Sequence, residues 1–173
     1  MNSEELKTLF IEYCNNLCKF MKTKQWYGAC HANTAMMYAF TKRIGIKAIL
    51  CIGECRQEGY KPFDHSWLLI EGEIYDIAIS MPFIYEMAKG SVYNSIDIRT
   101  NKRVDMTYGI RYLGLGADAQ LAYGQSLYDF LRGCSEERLL KVISDLSTMS
   151  KVYISPRWLE ENLSEDKFSI VVI

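Results

Sequence analysis

The sequence predicts an α+β fold in which two long amphipathic helices pack on an antiparallel sheet. Apolar residues recur every three or four positions over 3–22 and again over 30–44, which is the period of a helix with one buried face. An apolar run at 46–52 and two further apolar segments at 65–70 and 74–79 have the length and pattern of strands. The last two segments are separated by a short turn, so we expect them to form a hairpin.

Local signals set the ends of these elements. Ser3 stands where the first helix begins and is a residue type that caps helix N-termini. Gly45 follows the second helix and can adopt the left-handed conformation that ends many helices. The polar stretch 53–64 predicts a loop, and residues 71–73 predict the hairpin turn.

The second half of the chain has weaker patterns. We expect a short helix near 83–89, strands around 95–98 and 107–112, helices over 117–132 and 135–150, a short helix after Ser155-Pro156, and a terminal strand at 168–173. We interpret residues 1–173 as a single domain. Its core is at about 25–80, and the part at about 82–173 adds helices that cover the sheet or shape a cleft.

Composition narrows the class of protein. A chain of 173 residues, 49% hydrophobic and 24% charged, can form one globular domain with a sizeable core. A net charge of −1 with dispersed Lys and Arg offers no general attraction for nucleic acid or anionic lipid. We find neither a secretory signal nor a membrane span, and the six cysteines are then expected to be free thiols in a reducing compartment. We therefore expect a cytoplasmic protein without nucleic-acid or membrane partners. The oligomeric state stays open.

One cysteine stands where a loop becomes a helix. Cys30 follows Gly28 and begins the second helical segment, so the unpaired backbone N–H groups of the first turn should face its sulfur. Such a position lowers a thiol pKa from its usual ~8.5 and favours the reactive thiolate. Gly28 also permits backbone or substrate to approach closely. These features make Cys30 a candidate nucleophile.

A histidine and an aspartate flank the predicted hairpin. His65 opens one strand, and Trp67 follows two residues later, so both rings should lie on one face. The hairpin should bring Asp76 beside His65, where a carboxylate can fix the imidazole tautomer and support its charge. His31 is the only other histidine. Neighbouring helical side chains diverge by about 100°, so we expect its ring to point away from Cys30.

A set of short motifs follows a fixed order along about residues 25–80. It consists of Gly28-x-Cys30 at a helix start, Gly45-Ile46-Lys47-Ala48 before a strand, Gly53, His65-Ser66-Trp67 on a strand, and a hairpin that ends in Asp76. In this order the set resembles the transglutaminase-like superfamily, which has the papain-like cysteine-protease fold. The resemblance implies that Cys30 is the nucleophile, His65 the base and Asp76 the orienting residue, with no metal and no cofactor.

The chain departs from the usual family pattern at three points. Lys47 replaces a proline, Asp76 is followed by Ile77-Ala78 rather than Pro-Thr, and the hairpin is shorter than is typical. The resemblance also suggests an amide upstream of the cysteine, here Gln25, as a donor to an oxyanion; Trp26 and the Cys30 N–H are alternatives. Trp67 is a candidate for the cleft wall or for the core.

The chemistry implied is acyl transfer through a thioester on Cys30. The thioester would pass to water, as in a protease or deamidase, or to an amine, as in a transamidase. The substrate would be a peptide, a protein or a small amide. Two alternatives stay open: a transglutaminase-like binding module without activity, and a zinc protein that uses Cys14, Cys18, Cys51 and Cys55.

Overall fold

The computed structural model describes residues 2–134 and 138–172, and its architecture is α+β, as predicted. The helices are α1 (Ser3–Lys24), α2 (Cys30–Ile44), α3 (Ala117–Tyr123), α4 (Leu127–Gly133), α5 (Leu139–Met149) and α6 (Pro156–Leu163). The strands are β1 (Ile49–Arg56), β2 (Phe63–Ile70), β3 (Glu73–Tyr75), β4 (Val92–Tyr93), β5 (Ile96–Asp97), β6 (Lys102–Arg103), β7 (Thr107–Ile110) and β8 (Ser169–Ile170). Short 3₁₀ segments lie at Ala78–Ser80 and Tyr85–Met87.

The main sheet has the order β3-β2-β1-β7, and all of these neighbours are antiparallel. Strand β8 pairs with β1 in parallel on the edge that β7 also uses. The register places His65 of β2 opposite Gly53 of β1. A second, smaller sheet is formed by β4, β5 and β6. The central strands therefore carry His65 into the middle of the main sheet.

Side-chain alternation divides the interior into two clusters on the two faces of the main sheet. Ile52 and Leu68 join the larger cluster, which includes the buried sides of α1 and α2. Cys51 and Trp67, one residue earlier on the same strands, join the smaller cluster with Tyr108. Buried side chains of α3–α6 belong to the larger cluster, so the C-terminal helices complete the core that the N-terminal helices begin.

The predicted start of α1 at Ser3 is confirmed, but the predicted cap is wrong, and the helix ends at Lys24, two residues later than predicted. Asn2, not Ser3, is the N-cap: its side chain accepts from Glu5 N, and the Glu5 side chain accepts from Asn2 N, which forms a capping box. The predicted bounds of α2 and its left-handed end at Gly45, with φ +83°, are confirmed.

The predicted ends of β1 and β3 differ from the structure for identifiable reasons. Strand β1 begins later than predicted and continues to Arg56, because residues 53–55 pair with β2 and residues 55–56 pair with β7. The buried Glu54 carboxylate also accepts the N–H groups of Tyr112 and Leu113, each at 2.8 Å. Strand β3 stops at Tyr75 instead of reaching residue 79. The Asp76 carboxylate accepts the N–H groups of Ala78 and Ile79, and the chain continues as the 3₁₀ segment Ala78–Ser80.

The remaining predictions were partly correct. The helix predicted over 117–132 is divided between α3 and α4, because Ser126 caps a new helix by accepting from Asp129 N. The helix near 83–89 is only the 3₁₀ segment Tyr85–Met87, and the strands near 95–98, 107–112 and 168–173 are the shorter β5, β7 and β8. Helix α5 covers part of 135–150; residues 135–137 and 173 lie outside the described residues. No helix in the described ranges is both long and apolar enough to cross a bilayer.

Candidate active site

Cys30 is the first residue of α2 and lines a cleft. Ala29, the N-cap, makes no side-chain capping hydrogen bond, so the first N–H groups of the helix lack a side-chain cap. The loop before Cys30 is fixed by a hydrogen bond of 2.9 Å from Gly28 N to Met81 O. Gly28 has φ +68°, and a Cβ there would overlap the Phe83 ring. This turn therefore requires glycine, and it holds Cys30 against the segment that follows Asp76.

His65 and Asp76 form a buried pair. His65 Nε2 lies 2.6 Å from Asp76 Oδ2, and the two residues are 4% and 1% exposed. The β2–β3 register, extended by one residue, places Asp76 opposite Trp67 and on the same face as His65. Because β3 pairs only with Leu68–Ile70, it does not cover the edge of β2 at His65, and His65 lines the same cleft as Cys30.

The Asp76 carboxylate takes part in four hydrogen bonds. Besides His65, its Oδ2 accepts from the Tyr108 hydroxyl at 2.9 Å, and its Oδ1 accepts from Ala78 N and Ile79 N at 3.0 and 3.2 Å. The carboxylate is thus compensated although it is buried. Tyr108 was not predicted as a site residue, because it belongs to β7, far along the chain, and only the pairing of Cys55 with Tyr108 brings it to this face.

The charges of the site favour a thiolate beside an imidazolium. Burial opposes ionisation of the Cys30 thiol, but hydrogen bonds from His31 and His65 and their positive charges outweigh it and lower its pKa to about 6. Burial also opposes protonation of His65, but the charge and hydrogen bond of Asp76, aided by Cys30, raise the imidazole pKa to about 10. Burial raises the pKa of each of the other thiols: Cys14, Cys18, Cys51, Cys55 and Cys134.

The expected orientation of His31 is wrong. Its Nδ1 lies 3.7 Å from Cys30 Sγ and 2.7 Å from the Ser66 hydroxyl oxygen. Ser66 is fully buried on β2, on the face against which α2 packs, so it draws the imidazole back over the start of the helix. Helical spacing alone could not reveal this contact with another element. Two imidazoles therefore lie next to the thiol.

The cleft beside Cys30 has a volume of about 370 Å³. Its lining includes Cys30, His31 and His65. Its walls come from the start of β2, from the segment after the 3₁₀ turn at Ala78, and from the start of α3. The wall residues are Phe63, Asp64, Ala78, Ile79, Pro82, Phe83, Ile84, Met87, Asp118 and Ala119.

Three residues named from the sequence for oxyanion or substrate binding do not line this cleft. Gln25 is exposed and forms the left-handed end of α1. Trp26 packs edge-on against Phe20, with ring centroids 6.0 Å apart. Trp67 is fully buried and packs against Tyr108 at 5.1 Å, so it supports the sheet face that carries His65. Of the predicted oxyanion donors, the Cys30 N–H is the one at the cleft.

The four cysteines of the zinc hypothesis do not come together. Cys14 belongs to the larger core cluster, whereas Cys51 and Cys55 belong to the cluster on the opposite face of the sheet. In residues 2–134 and 138–172, no three His, Cys, Asp or Glu side chains are grouped as a metal site would require. The structure therefore contradicts a four-thiolate site.

Removing the Tyr108 hydroxyl tests how strongly the buried carboxylate depends on its donors. Tyr108→Phe keeps the ring but removes one hydrogen bond to Asp76, so we expect the free energy of unfolding to fall by about 1.5–3 kcal/mol. Urea denaturation would measure this change. Tyr112→Phe, at a half-exposed tyrosine, is the matched control and should stay within about 0.5 kcal/mol of the wild type. Equal stability of the two variants would contradict this role of Tyr108.

Comparisons of the chain with protein-family models, with curated proteins and with solved structures found no match in any of the three.

Proposed function

We propose that this chain is a cysteine-dependent acyl-transfer enzyme, with Cys30 as nucleophile, His65 as acid and base, and Asp76 as the orienting residue. The observation that carries the proposal is the pairing of His65 Nε2 with Asp76 Oδ2 at 2.6 Å, on a ring that lines the same cleft as Cys30. A nucleophile, a base and a third group that orients the base are the usual components of nucleophilic catalysis. Their order along the chain supports a transglutaminase-like core of the papain-like kind.

The first half of the reaction forms a thioester. The Cys30 thiolate attacks the carbonyl carbon of an amide, and the carbonyl oxygen becomes an oxyanion. The C–N bond then breaks, and the leaving amine takes a proton from the His65 imidazolium. Because Nε2 is hydrogen-bonded to Asp76, the other ring nitrogen, Nδ1, exchanges the proton with the Cys30 sulfur and with the leaving amine.

The second half releases the acyl group. The negative charge of the Cys30 thiolate is one of the causes that raise the His65 pKa. Formation of the thioester removes this charge, so the His65 pKa falls and the neutral imidazole becomes more populated. His65 can then take a proton from water or from an incoming amine, which attacks the thioester carbonyl and releases the Cys30 thiolate. Water gives hydrolysis or deamidation, and an amine gives transamidation. The substrate would be a peptide, a protein or a small amide, and the chemistry uses no cofactor.

The oxyanion would be stabilised by the start of α2. Backbone N–H groups at a helix N-terminus point along the axis and carry partial positive charge. The Cys30 N–H is the closest of them in sequence to the sulfur, and Ala29 provides no side chain that would occupy these donors. This arrangement assigns the oxyanion role to the backbone rather than to Gln25, which lies outside the cleft lining.

The pH dependence of alkylation tests the proposed nucleophile. The rate of Cys30 modification by iodoacetamide should rise with pH around a midpoint of about 6, because the thiolate is the reacting form. Modification would be followed for each cysteine by peptide mapping. Cys18 and Cys134 are the internal controls, since burial raises their pKa and they should react slowly at about pH 6.5. A midpoint near the ordinary ~8.5 would contradict an activated Cys30 and favour the non-catalytic binding module.

Acyl transfer itself can be tested with p-nitrophenyl acetate. We expect a burst of about one p-nitrophenolate per chain, followed by steady turnover, with the acetyl group on Cys30 by mass spectrometry. Cys30→Ala should abolish both phases. Cys134→Ala removes a partly exposed thiol that does not line the cleft and should keep both. Turnover by Cys30→Ala at the wild-type rate would overturn the proposal.

A further inference from the structure

The walls of the cleft contain much more apolar than charged surface. The apolar wall residues with large side chains are Phe63, Ile79, Pro82, Phe83, Ile84 and Met87. A cleft of about 370 Å³ lies near the lower end of the usual range for small-ligand sites, about 300–1,000 Å³. It has room for one bulky side chain in addition to the reacting carbonyl, so it is large enough to select among substrates.

Apolar groups contact both the loop before Cys30 and the His65 ring. The Phe83 ring rests on Gly28, two positions before Cys30, yet Phe83 is 83% exposed and Ile84 is 51% exposed. The Phe63 ring packs edge-on against His65, with centroids 5.8 Å apart. Aromatic surface left open to water beside a nucleophile is typical of a binding site. Its closeness to Cys30 places the bound group next to the carbonyl that is attacked.

The charges at the cleft act against acidic substrates. Apart from Cys30 and the two histidines, the ionisable residues that line it are Asp64 and Asp118, and no Lys or Arg is among the described lining residues. Asp64 accepts a hydrogen bond of 2.7 Å from Gly116 N, which fixes it beside the start of α3. A carboxylate on the substrate would meet the like charges of Asp64 and Asp118 and lose its hydration. The His65 imidazolium is already paired with Asp76, and no Lys or Arg of the described lining is there to replace it.

From these observations we infer that the cleft selects acyl donors with a bulky, uncharged apolar side chain next to the reactive carbonyl, and disfavours acidic ones. Phe83 is the main specificity-determining residue, because it covers the loop that leads to Cys30 and offers the most exposed apolar surface of the wall. The inference rests on the proposed function, since it assumes that Cys30 attacks a carbonyl in this cleft.

Irreversible alkylating substrate analogues separate specificity from reactivity. N-acetyl-leucyl, N-acetyl-asparaginyl and N-acetyl-aspartyl chloromethyl ketones have side chains of similar size, and each loses chloride as Cys30 sulfur forms a thioether. Second-order rates would be divided by the rate with iodoacetamide, which carries no side chain. We expect leucyl above asparaginyl above aspartyl, with the leucyl rate exceeding the aspartyl rate roughly tenfold or more.

Variants of Phe83 test whether the cleft wall causes the preference for the leucyl probe over the aspartyl probe. Phe83→Ala should lower the leucyl-to-aspartyl ratio roughly fivefold or more, because it removes apolar surface that the leucyl group would cover. Phe83→Lys should lower the ratio further by attracting the aspartyl probe. Tyr85→Ala is the matched control, since Tyr85 is 80% exposed but does not line the cleft, and it should keep the wild-type ratio.

The outcomes distinguish the two proposals. Fast modification of Cys30 by iodoacetamide with equal leucyl and aspartyl rates would overturn the specificity and leave the proposed function standing. A leucyl preference that Phe83→Ala does not change would overturn the assignment to this wall. If iodoacetamide modifies Cys30 no faster than Cys134 at about pH 6.5, the proposed function fails and the inference fails with it.

Discussion

Replacing His65 by alanine should nearly abolish turnover of p-nitrophenyl acetate while leaving the thiol able to react at high pH. Without the imidazolium, the Cys30 pKa should rise from about 6 toward the ordinary ~8.5, because the largest remaining influence is burial, which opposes ionisation. Loss of the base should also slow release of the acyl group, so steady turnover should fall by about 10²–10⁴-fold. The burst should persist at about pH 9, where the thiolate forms without help.

The neighbouring histidine provides the control for this experiment. His31 also contacts the Cys30 sulfur, at 3.7 Å, but its Nδ1 lies closer to the Ser66 hydroxyl, at 2.7 Å, and no carboxylate among residues 2–134 and 138–172 is hydrogen-bonded to it. His31→Ala should therefore raise the pH midpoint of Cys30 alkylation less than His65→Ala does, and it should reduce turnover by about tenfold or less. If His31→Ala causes the larger loss of turnover, then His31 is the base and the assignment of His65 is wrong.

Replacing Asp76 by asparagine should affect both stability and the titration of the site. Asp76 is almost fully buried and accepts from His65, Tyr108 and two backbone N–H groups. Breaking such a buried pair costs about 3–5 kcal/mol of unfolding free energy. At about 2–4 °C per kcal/mol for a domain of this size, the melting temperature should fall by roughly 6–20 °C. The His65 pKa should drop from about 10, because its main positive cause is the Asp76 charge.

A second buried aspartate separates the structural effect from the chemical one. Asp97 is 2% exposed and accepts the N–H groups of Gly90 and Arg99 at 3.1 and 2.7 Å in the small sheet. Asp97→Asn should also destabilise the protein, but it should leave the alkylation midpoint of Cys30 near 6. Asp76→Asn should raise that midpoint, since a His65 that is no longer held protonated cannot stabilise the thiolate. Equal midpoints in both variants would contradict the orienting role of Asp76.

The parts of the site that could be predicted from sequence are those fixed by local structure. Helix α2 has a glycine near each end: Gly28 lies in the loop before it, and the left-handed Gly45 ends it. Both the helix and the position of Cys30 at its start were therefore predictable. The hairpin was also local: Glu71 and Gly72, with φ +54° and +81°, form a tight turn that returns the chain toward His65. Asp76 lies one residue beyond β3, which places it beside the histidine.

The parts that escaped prediction depend on contacts between distant segments. Tyr108 reaches Asp76 only because β7 pairs with β1, and the orientation of His31 depends on the Ser66 hydroxyl of β2. Part of the cleft wall comes from the irregular segment 82–84, including the exposed Phe83, and this segment has no periodic sequence pattern. Gln25 and Trp26 are close to Cys30 in sequence, but the end of α1 fixes their backbone, and neither lines the cleft.

The protonation state of His65 tests the central claim most directly. The chain has two histidines, so ¹⁵N NMR of the imidazole nitrogens is readily assigned with a His31→Gln variant. At about pH 8, an ordinary histidine, with a pKa near 6.5, is neutral. The arrangement with Asp76 on one side and the Cys30 thiolate on the other predicts that His65 is still an imidazolium at this pH, with both ring nitrogens protonated. A neutral His65 ring at about pH 8 in the unmodified protein would contradict it.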